Sequence, residues 1–377
     1  MMQALIGQRL KALRETRNLS QDDLARVFGF KDRQTVSAIE TGERKLSAEE
    51  LLTAVRELKT DLDYFTDPFR LVGGEGRFNW RQSGVAPARL DAYERIAGQL
   101  IAAFRALGSD VGEKPALLRH ALTLTKHSRF EDAEEAGERF VAAYELGDAP
   151  AFRLAETMER ELSILVLMVE PNDDKISGAA CRLADLDVVL INRNEVPGRR
   201  HFDLAHELFH ILTWDAMPPE RVEDNSGTGK RSRVEQLADC FAAGLLMPKK
   251  VIGAAEPWKT LGVDVLPAAL NATADRLGVS SLALKWRLVS LEMIDRATER
   301  LIPGDALRNN GRQAGLFEDA AIREGPPLFS RRFVEIVARA IDEGRVSTRK
   351  ISGILGMPVD DLAQLFEQHG VPAPYEL

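Results

Sequence analysis

Residues 201–212 read HFDLAHELFHIL. On a helix, His206 and His210 stand at i and i+4, one turn apart on one face, where two imidazoles can take neighbouring corners of a tetrahedral metal site. Glu207 sits one position round from His206. There its carboxylate can reach a reacting water without being a ligand, as a general base for hydrolysis must. Leu204, Leu208 and Ile211 fall on the opposite stripe and predict the buried side of the helix. The chain has six histidines, and His201, His206 and His210 are three of them. His201 lies about 140° round from His206 and is read as a substrate-side or surface histidine.

A second helix supplies the group that two histidines lack. In EQLADCFAAGLLMP, residues 235–248, Leu237, Phe241, Leu245 and Leu246 form a core stripe, and Glu235 and Asp239 stand at i, i+4 on another face. Glu235 can complete a set of two histidines and one carboxylate, leaving a fourth position for water. Asp239 can accept from the free ring N–H of a ligating histidine and fix its tautomer. The competing reading is a surface helix with two solvated acids. Ala238, Ala242, Ala243 and Gly244 let this helix approach a neighbour closely, and Cys240 reads as a small buried hydrophobe. His120, His127 and His369 have no such companions and read as structural or exposed. The strand Val188 to Asn192 leads into the histidine helix through a basic loop and is expected to be an edge able to align an extended peptide. Arg199, Arg200, Lys230, Arg231 and Arg233 are unassigned candidates for polarising a scissile carbonyl.

The rest of the chain sets the frame. Its 377 residues suffice for two or three packed domains. Two cysteines, Cys181 and Cys240, can build neither a disulfide framework nor a four-thiolate zinc site. No apolar run approaches the roughly 18 residues a membrane span needs, and MMQALIGQRLKALRE carries charges where a signal peptide would be apolar, so a cytoplasmic location is expected. The net charge of −8 argues, as an average, against nucleic acid. That average conceals a net basic first 60 residues and an acidic remainder.

Residues 1 to about 65 read as a string of short helices. Leu5, Ile6, Leu10 and Leu13 recur at helical spacing; Ser20 and Ser47 cap later helices, and Gly29 ends one before Gln34 to Glu40 opens the next. Helix, short turn, helix is the helix-turn-helix layout. Residues 67–87, with Gly73-Gly74-Glu75-Gly76, read as a linker; a phosphate-binding loop is disfavoured because no Lys-Ser/Thr follows. Residues 88–260 combine a long helical stretch with strand-like segments at 162–169 and 188–191, and 261–377 return to helices around a Gly/Arg/Pro-containing loop. The expected fold is mainly α with a small β-sheet, an α+β class.

These segments resemble an XRE-type helix-turn-helix joined to an ImmA/IrrE-type metallopeptidase. The first likeness covers roughly 4–66, through IGQRLKALRETRNLSQDDLARVFGF and SAIETGERKLS. The second covers roughly 130–250, through ERFVAAYELGDAPAFRLAETMERE, VVLINRN, RRHFDLAHELFHIL and RVEQLADCFAAGLLMP. The resemblance implies a five-helix-type DNA-binding domain over 1–66 and a zincin-like peptidase within 88–260. It further implies His206, His210 and Glu235 as ligands of Zn2+, or of Mn2+ or another divalent ion, with Glu207 as catalytic base. The implied partners are operator DNA and a substrate protein, an XRE-type repressor whose cleavage would derepress stress or mobile-element genes. The alternative is a non-proteolytic repressor or antitoxin-like protein whose metal is structural or sensory. In the first domain Gln34, Thr35 and Ser37 are the expected base readers. Gln21, Arg33, Arg44 and Lys45 are expected at phosphate, while Glu40 fixes the turn. A helical protein-interaction module without DNA activity is the competing reading; a homodimer would double the basic charge and present two half-sites. Residues 273–288 and 341–370 also imitate helix-turn-helix units, but the last helix has no Lys or Arg and reads as a packing or partner surface.

Overall fold

Capping side chains decide where the first helices begin. The computed structural model describes residues 2–72, 75–113, 119–171, 175–224, 232–307 and 325–374. Five helices come first: α1 (Met2–Thr16), α2 (Gln21–Phe28), α3 (Arg33–Glu40), α4 (Ala48–Glu57) and α5 (Leu62–Thr66). Ser20 with Asp23, and Ser47 with Glu50, exchange the reciprocal bonds of a capping box, while Asp32 and Asp61 accept from the amides of Thr35 and Tyr64. Gly29 closes α2 at φ 69°, a left-handed conformation that costs glycine no Cβ contact, and the chain turns there into α3. Leu10, Leu24, Val36, Ile39 and Phe65 form the core of this bundle.

The chain continues through β1 (Gly76–Gln82), α6 (Pro87–Asp110), α7 (Phe130–Ala143), α8 (Leu154–Arg160), β2 (Ile164–Val169), β3 (Ile176–Leu183) and β4 (Asp187–Asn192). Next come α9 (Pro197–Thr213), β5 (Val222–Asp224), α10 (Arg233–Leu246), α11 (Lys249–Ala255), α12 (Leu266–Leu277), α13 (Ser281–Ser290) and α14 (Arg296–Leu301). The last helices are α15 (Arg331–Asp342), α16 (Thr348–Leu355) and α17 (Val359–Gln368). Helices dominate and the strands form one sheet, the α+β class expected. Among the described residues no helix is long and apolar enough to cross a membrane.

Two compact units emerge, and their boundaries differ from those expected. One comprises 1–77, 87–114 and 333–377; the other comprises 78–86 and 115–332. The expected linker, 67–87, contains β1, and its glycines 73 and 74 lie outside the described residues. Arg77 to Arg81 do alternate polar and apolar, but the segment is short, follows directly on the glycines, and buries its polar members Asn79, Arg81 and Gln82 as well, so in sequence it reads as part of the linker. Helix α6, expected with the peptidase, and α15 to α17, expected in a separate C-terminal region, group with the first unit. Phe104 of α6 meets Phe333 of α15 at 6.2 Å between ring centroids. That contact joins residues far apart in sequence, which periodicity does not reveal.

In the second unit the sheet order is β2-β4-β3-β1-β5. β2 and β4 are parallel with Leu165 opposite Val188, and β3 and β4 are antiparallel with Cys181 opposite Val188. β4 is therefore an interior strand, not the edge expected of it, and both its backbone sides are already paired. Among the described strands the edges are β2 and β5. The sheet packs on α9 through Ala180, Val189, Leu204 and Leu208, and α10 packs on α9 through Phe209 and Phe241. Helices α7 and α10 touch backbone to backbone: a Cβ on Gly137 would lie 2.4 Å from the Phe241 carbonyl oxygen, and one on Gly244 would lie 2.2 Å from that of Glu134.

Candidate functional site

Pro197 at the first turn starts α9, where its missing N–H and fixed φ are both suited to a helix N-terminus. From Asp203 to Thr213 every residue of α9 is buried, against the sheet on one side and α10 on the other. The histidine face of α9 meets α10. His206 Nε2 lies 3.2 Å from Glu235 Oε2 and 3.2 Å from His210 Nε2, and His210 Nε2 is 3.5 Å from Glu235 Oε1. One ligand atom from each of His206, His210 and Glu235 falls within 4.8 Å of the others. Ser232 caps α10 by accepting from the Glu235 amide, which places Glu235 in the first turn of that helix.

The donor chemistry fits a cation. Asp239 Oδ1 stands 3.0 Å from His206 Nδ1. An ionised carboxylate can only accept, so the Nδ1 of His206 carries the proton and its Nε2 presents a lone pair. That lone pair faces the Glu235 carboxylate and a second imidazole nitrogen, an arrangement of electron-rich atoms that a positive ion between them reconciles. The separations of 3.2 and 3.5 Å also match the edges, about 3.4 Å, of a tetrahedron with bonds of about 2.0–2.1 Å. Glu207 is fully buried beside β3, where a Cβ added to Gly178 would lie 3.8 Å from Glu207 Cγ.

The arginines near this centre have other attachments. Arg199 bonds Asp203 and Ser177, and Arg200 donates to the carbonyls of Arg193 and Glu195. Arg233 donates to the carbonyls of Lys126 and Ser128 and lies over the Phe130 ring. Lys230 and Arg231 lie outside the described residues. His201 is partly buried and stands apart from the His206, His210 and Glu235 cluster. Its Nδ1 pairs with the Gly278 carbonyl at 2.7 Å, Phe152 packs edge-on against it, and burial holds its pKa below the usual histidine value. Cys240 is half-buried, and burial, reinforced by nearby Glu134 and Asp239, pushes its thiol up to about 11. A contact not anticipated from sequence is Arg81, on β1, against Asp203 of α9. The two are far apart in the chain and nothing local marks them as partners.

In the first unit Arg33, Gln34 and Lys45 are exposed, and Thr35 and Ser37 are half-buried along α3. Gln21 and Arg44 are engaged within the protein. Gln21 Nε2 donates to Glu40 Oε2 at 2.8 Å, and Arg44 pairs with Glu50 at 2.6 Å while lying over the Phe30 ring. Glu40 is buried under Arg14, at 2.6 Å, so it joins α1, α2 and α3.

The structure thus joins a small helical domain of helix-turn-helix layout to a buried His/Glu cluster able to hold a metal ion. Residues 10–65 match the helix-turn-helix family, and residues 159–289 match the IrrE N-terminal-like domain of the M78 peptidases. An XRE-type helix-turn-helix DNA-binding domain is thus fused to an M78 metallopeptidase domain. No curated protein matches the chain.

Proposed function

We propose that this chain is a cytoplasmic transcriptional regulator whose peptidase domain is a metal-dependent endopeptidase acting on a partner XRE-type repressor. The convergence of His206, His210 and Glu235 through 3.2 Å contacts carries the reading. His206, His210 and Glu235 hold the ion, and a set of two imidazoles and one carboxylate suits Zn2+. When bound, the ion supplies Lewis acidity, acidifying water and polarising a carbonyl oxygen. Glu207 takes the proton of the water that attacks the scissile carbonyl and delivers it to the leaving amine as the C–N bond breaks. Asp239 holds the His206 ring and its tautomer. Operator DNA binds through 1–66, with Gln34, Thr35 and Ser37 toward base edges and Arg33 and Lys45 toward phosphate. Gln21 and Arg44 approach phosphate only if they exchange their present partners. A homodimer would supply two half-sites.

The test is incubation of zinc-loaded protein with the XRE-type repressor encoded nearest to its gene, with and without a chelator. Chelator-sensitive cleavage at one bond is expected, together with a salt-sensitive gel shift of operator DNA by the full chain. One observation favours a second reading, a non-proteolytic DNA-binding protein with a structural or sensory metal: His206, Glu207 and His210 are all 0% exposed. An intact repressor beside stoichiometric zinc would select that reading.

A further inference from the structure

Arg81 takes no part in the centre just described, yet it reaches the helix that carries it. Its Nη1 donates to Asp203 Oδ1 at 2.5 Å, with side chains 5% and 0% exposed. Asp203 Oδ2 also accepts from Arg199 Nε at 3.2 Å, and Arg199 Nη2 lies 3.3 Å from Ser177 Oγ on β3. Asp203, His206 and His210 share one face of α9, at i, i+3 and i+7. The Arg81 guanidinium also stands 5.8 Å from the centroid of Phe202, whose ring is the next neighbour of His206 at 6.4 Å.

The strand that delivers Arg81 lies outside both matched segments, 10–65 and 159–289. It nevertheless sits inside the peptidase sheet, between β3 and β5. Residues 78–86 group with the peptidase unit, whereas 1–77 before them and 87–114 after them group with the other. The chain therefore enters the peptidase sheet for a single strand and leaves it again.

We infer that β1 completes the peptidase and that Arg81 is a positioning residue, setting through Asp203 the rotation and depth of α9 and so the place where His206 and His210 present Nε2. The inference rests on the metal-site reading above. A removable strap is the rival role for β1, and burial weighs against it. Withdrawing β1 would expose Phe78 and Trp80, which stack at 5.4 Å, and would leave the fully buried Asp203 carboxylate to Arg199 alone, a side chain 38% exposed. A buried charge stripped of its partner is costly even where the intact pair adds little. Arginine is the suitable residue, because a planar guanidinium can bond a carboxylate while facing a ring.

The test uses the full chain and Zn2+ as probe, titrated against a competing fluorescent chelator, with thermal unfolding run in parallel to confirm that each variant is folded. Arg81→Met should weaken zinc binding by roughly ten- to a hundred-fold, the range seen when groups behind metal ligands are removed, and Arg81→Lys should recover part of that loss. Asp203→Asn should produce at least as large a loss, since it also weakens the Arg199 pair, and the double variant little more than Asp203→Asn alone, because the Arg81 contact is already disturbed. Should Arg81→Met not fold, Arg81→Lys, with a smaller loss, and Asp203→Asn carry the test. Wild-type zinc affinity in folded Arg81→Met, or strictly additive losses in the double variant, would overturn the positioning role. So would cleavage that rises when Arg81 is removed, the signature of a restraining strap. A wild-type chain that binds no zinc is a separate outcome, visible without any variant, and sinks the metal-site reading together with this inference.

Discussion

Removing the Asp239 carboxylate tests the proposed metal centre through a group that would not itself face the ion. Asp239 Oδ1 accepts from His206 Nδ1 at 3.0 Å, and its side chain is 24% exposed. Partners of this kind typically hold ten- to a hundred-fold of metal affinity, or about 1.4–2.7 kcal/mol. Partial exposure sets Asp239→Ala near the lower end, about tenfold, because water can take over as acceptor at Nδ1. Asp239→Asn keeps an oxygen acceptor and loses the charge, so a loss of a few-fold is expected. Glu235→Ala deletes a proposed ligand outright and should cost more than either. The assay is competition between the protein and a zinc chelator of known affinity at neutral pH, with the melting temperature as the control for folding. Equal zinc affinity in Asp239→Ala and wild type would refute the reasoning, as would an Asp239→Ala loss as large as that of Glu235→Ala.

Three further predictions concern the scaffold. Gly244→Ala should destabilise the peptidase unit by roughly 1–3 kcal/mol or more, since its Cβ would meet the Glu134 carbonyl oxygen at 2.2 Å and backbone cannot rotate away; urea unfolding measures this, and an unchanged midpoint would contradict it. With its thiol pushed up to about 11, Cys240 should resist alkylation in the folded protein at pH 8, where on the order of 0.1% is thiolate, and label readily once unfolded; rapid native labelling at Cys240 by mass mapping would contradict the environment described. Burial acts to raise the Glu50 pKa, but bonds from Arg44 and the Ser47 amide outweigh it and hold the group below the usual glutamate range. A depressed folded-state pKa contributes stability above the unfolded value that is lost as pH falls through the folded one. Glu50→Gln should therefore lower the melting temperature at neutral pH, with the difference from wild type shrinking below about pH 4.

The part of the centre built on helical periodicity was legible in the sequence. His206 and His210 on one helix, and Glu235 and Asp239 on another, each follow from i, i+4 spacing, and only their meeting required the fold. The first four helices were equally legible, with Ser20 and Ser47 announcing two of their starts locally, whereas the caps Asp32 and Asp61 and the short α5 became apparent only in the structure. What was hidden depends on strand order and on long-range packing. Val188 to Asn192 looked like an edge because nothing local says that two strands flank it. β1 looked like linker because its short alternation, Arg77 to Arg81, directly follows a glycine run and gives no hint that the polar side is buried too, and Arg81 gave no sign of Asp203 because the pairing exists only across the sheet and α9. The exposure of Gln34 and the engagement of Gln21 with Glu40 likewise needed the packed bundle.

The central claim, hydrolysis at a metal held by His206, His210 and Glu235 with Glu207 as base, is tested most directly by comparing zinc content and repressor cleavage in wild type and Glu207→Gln. The substitution keeps the size of a side chain that is not a ligand. One equivalent of zinc in both proteins, with cleavage reduced by at least about a hundred-fold in the variant, is the expected result. Undiminished cleavage by zinc-loaded Glu207→Gln would contradict the account.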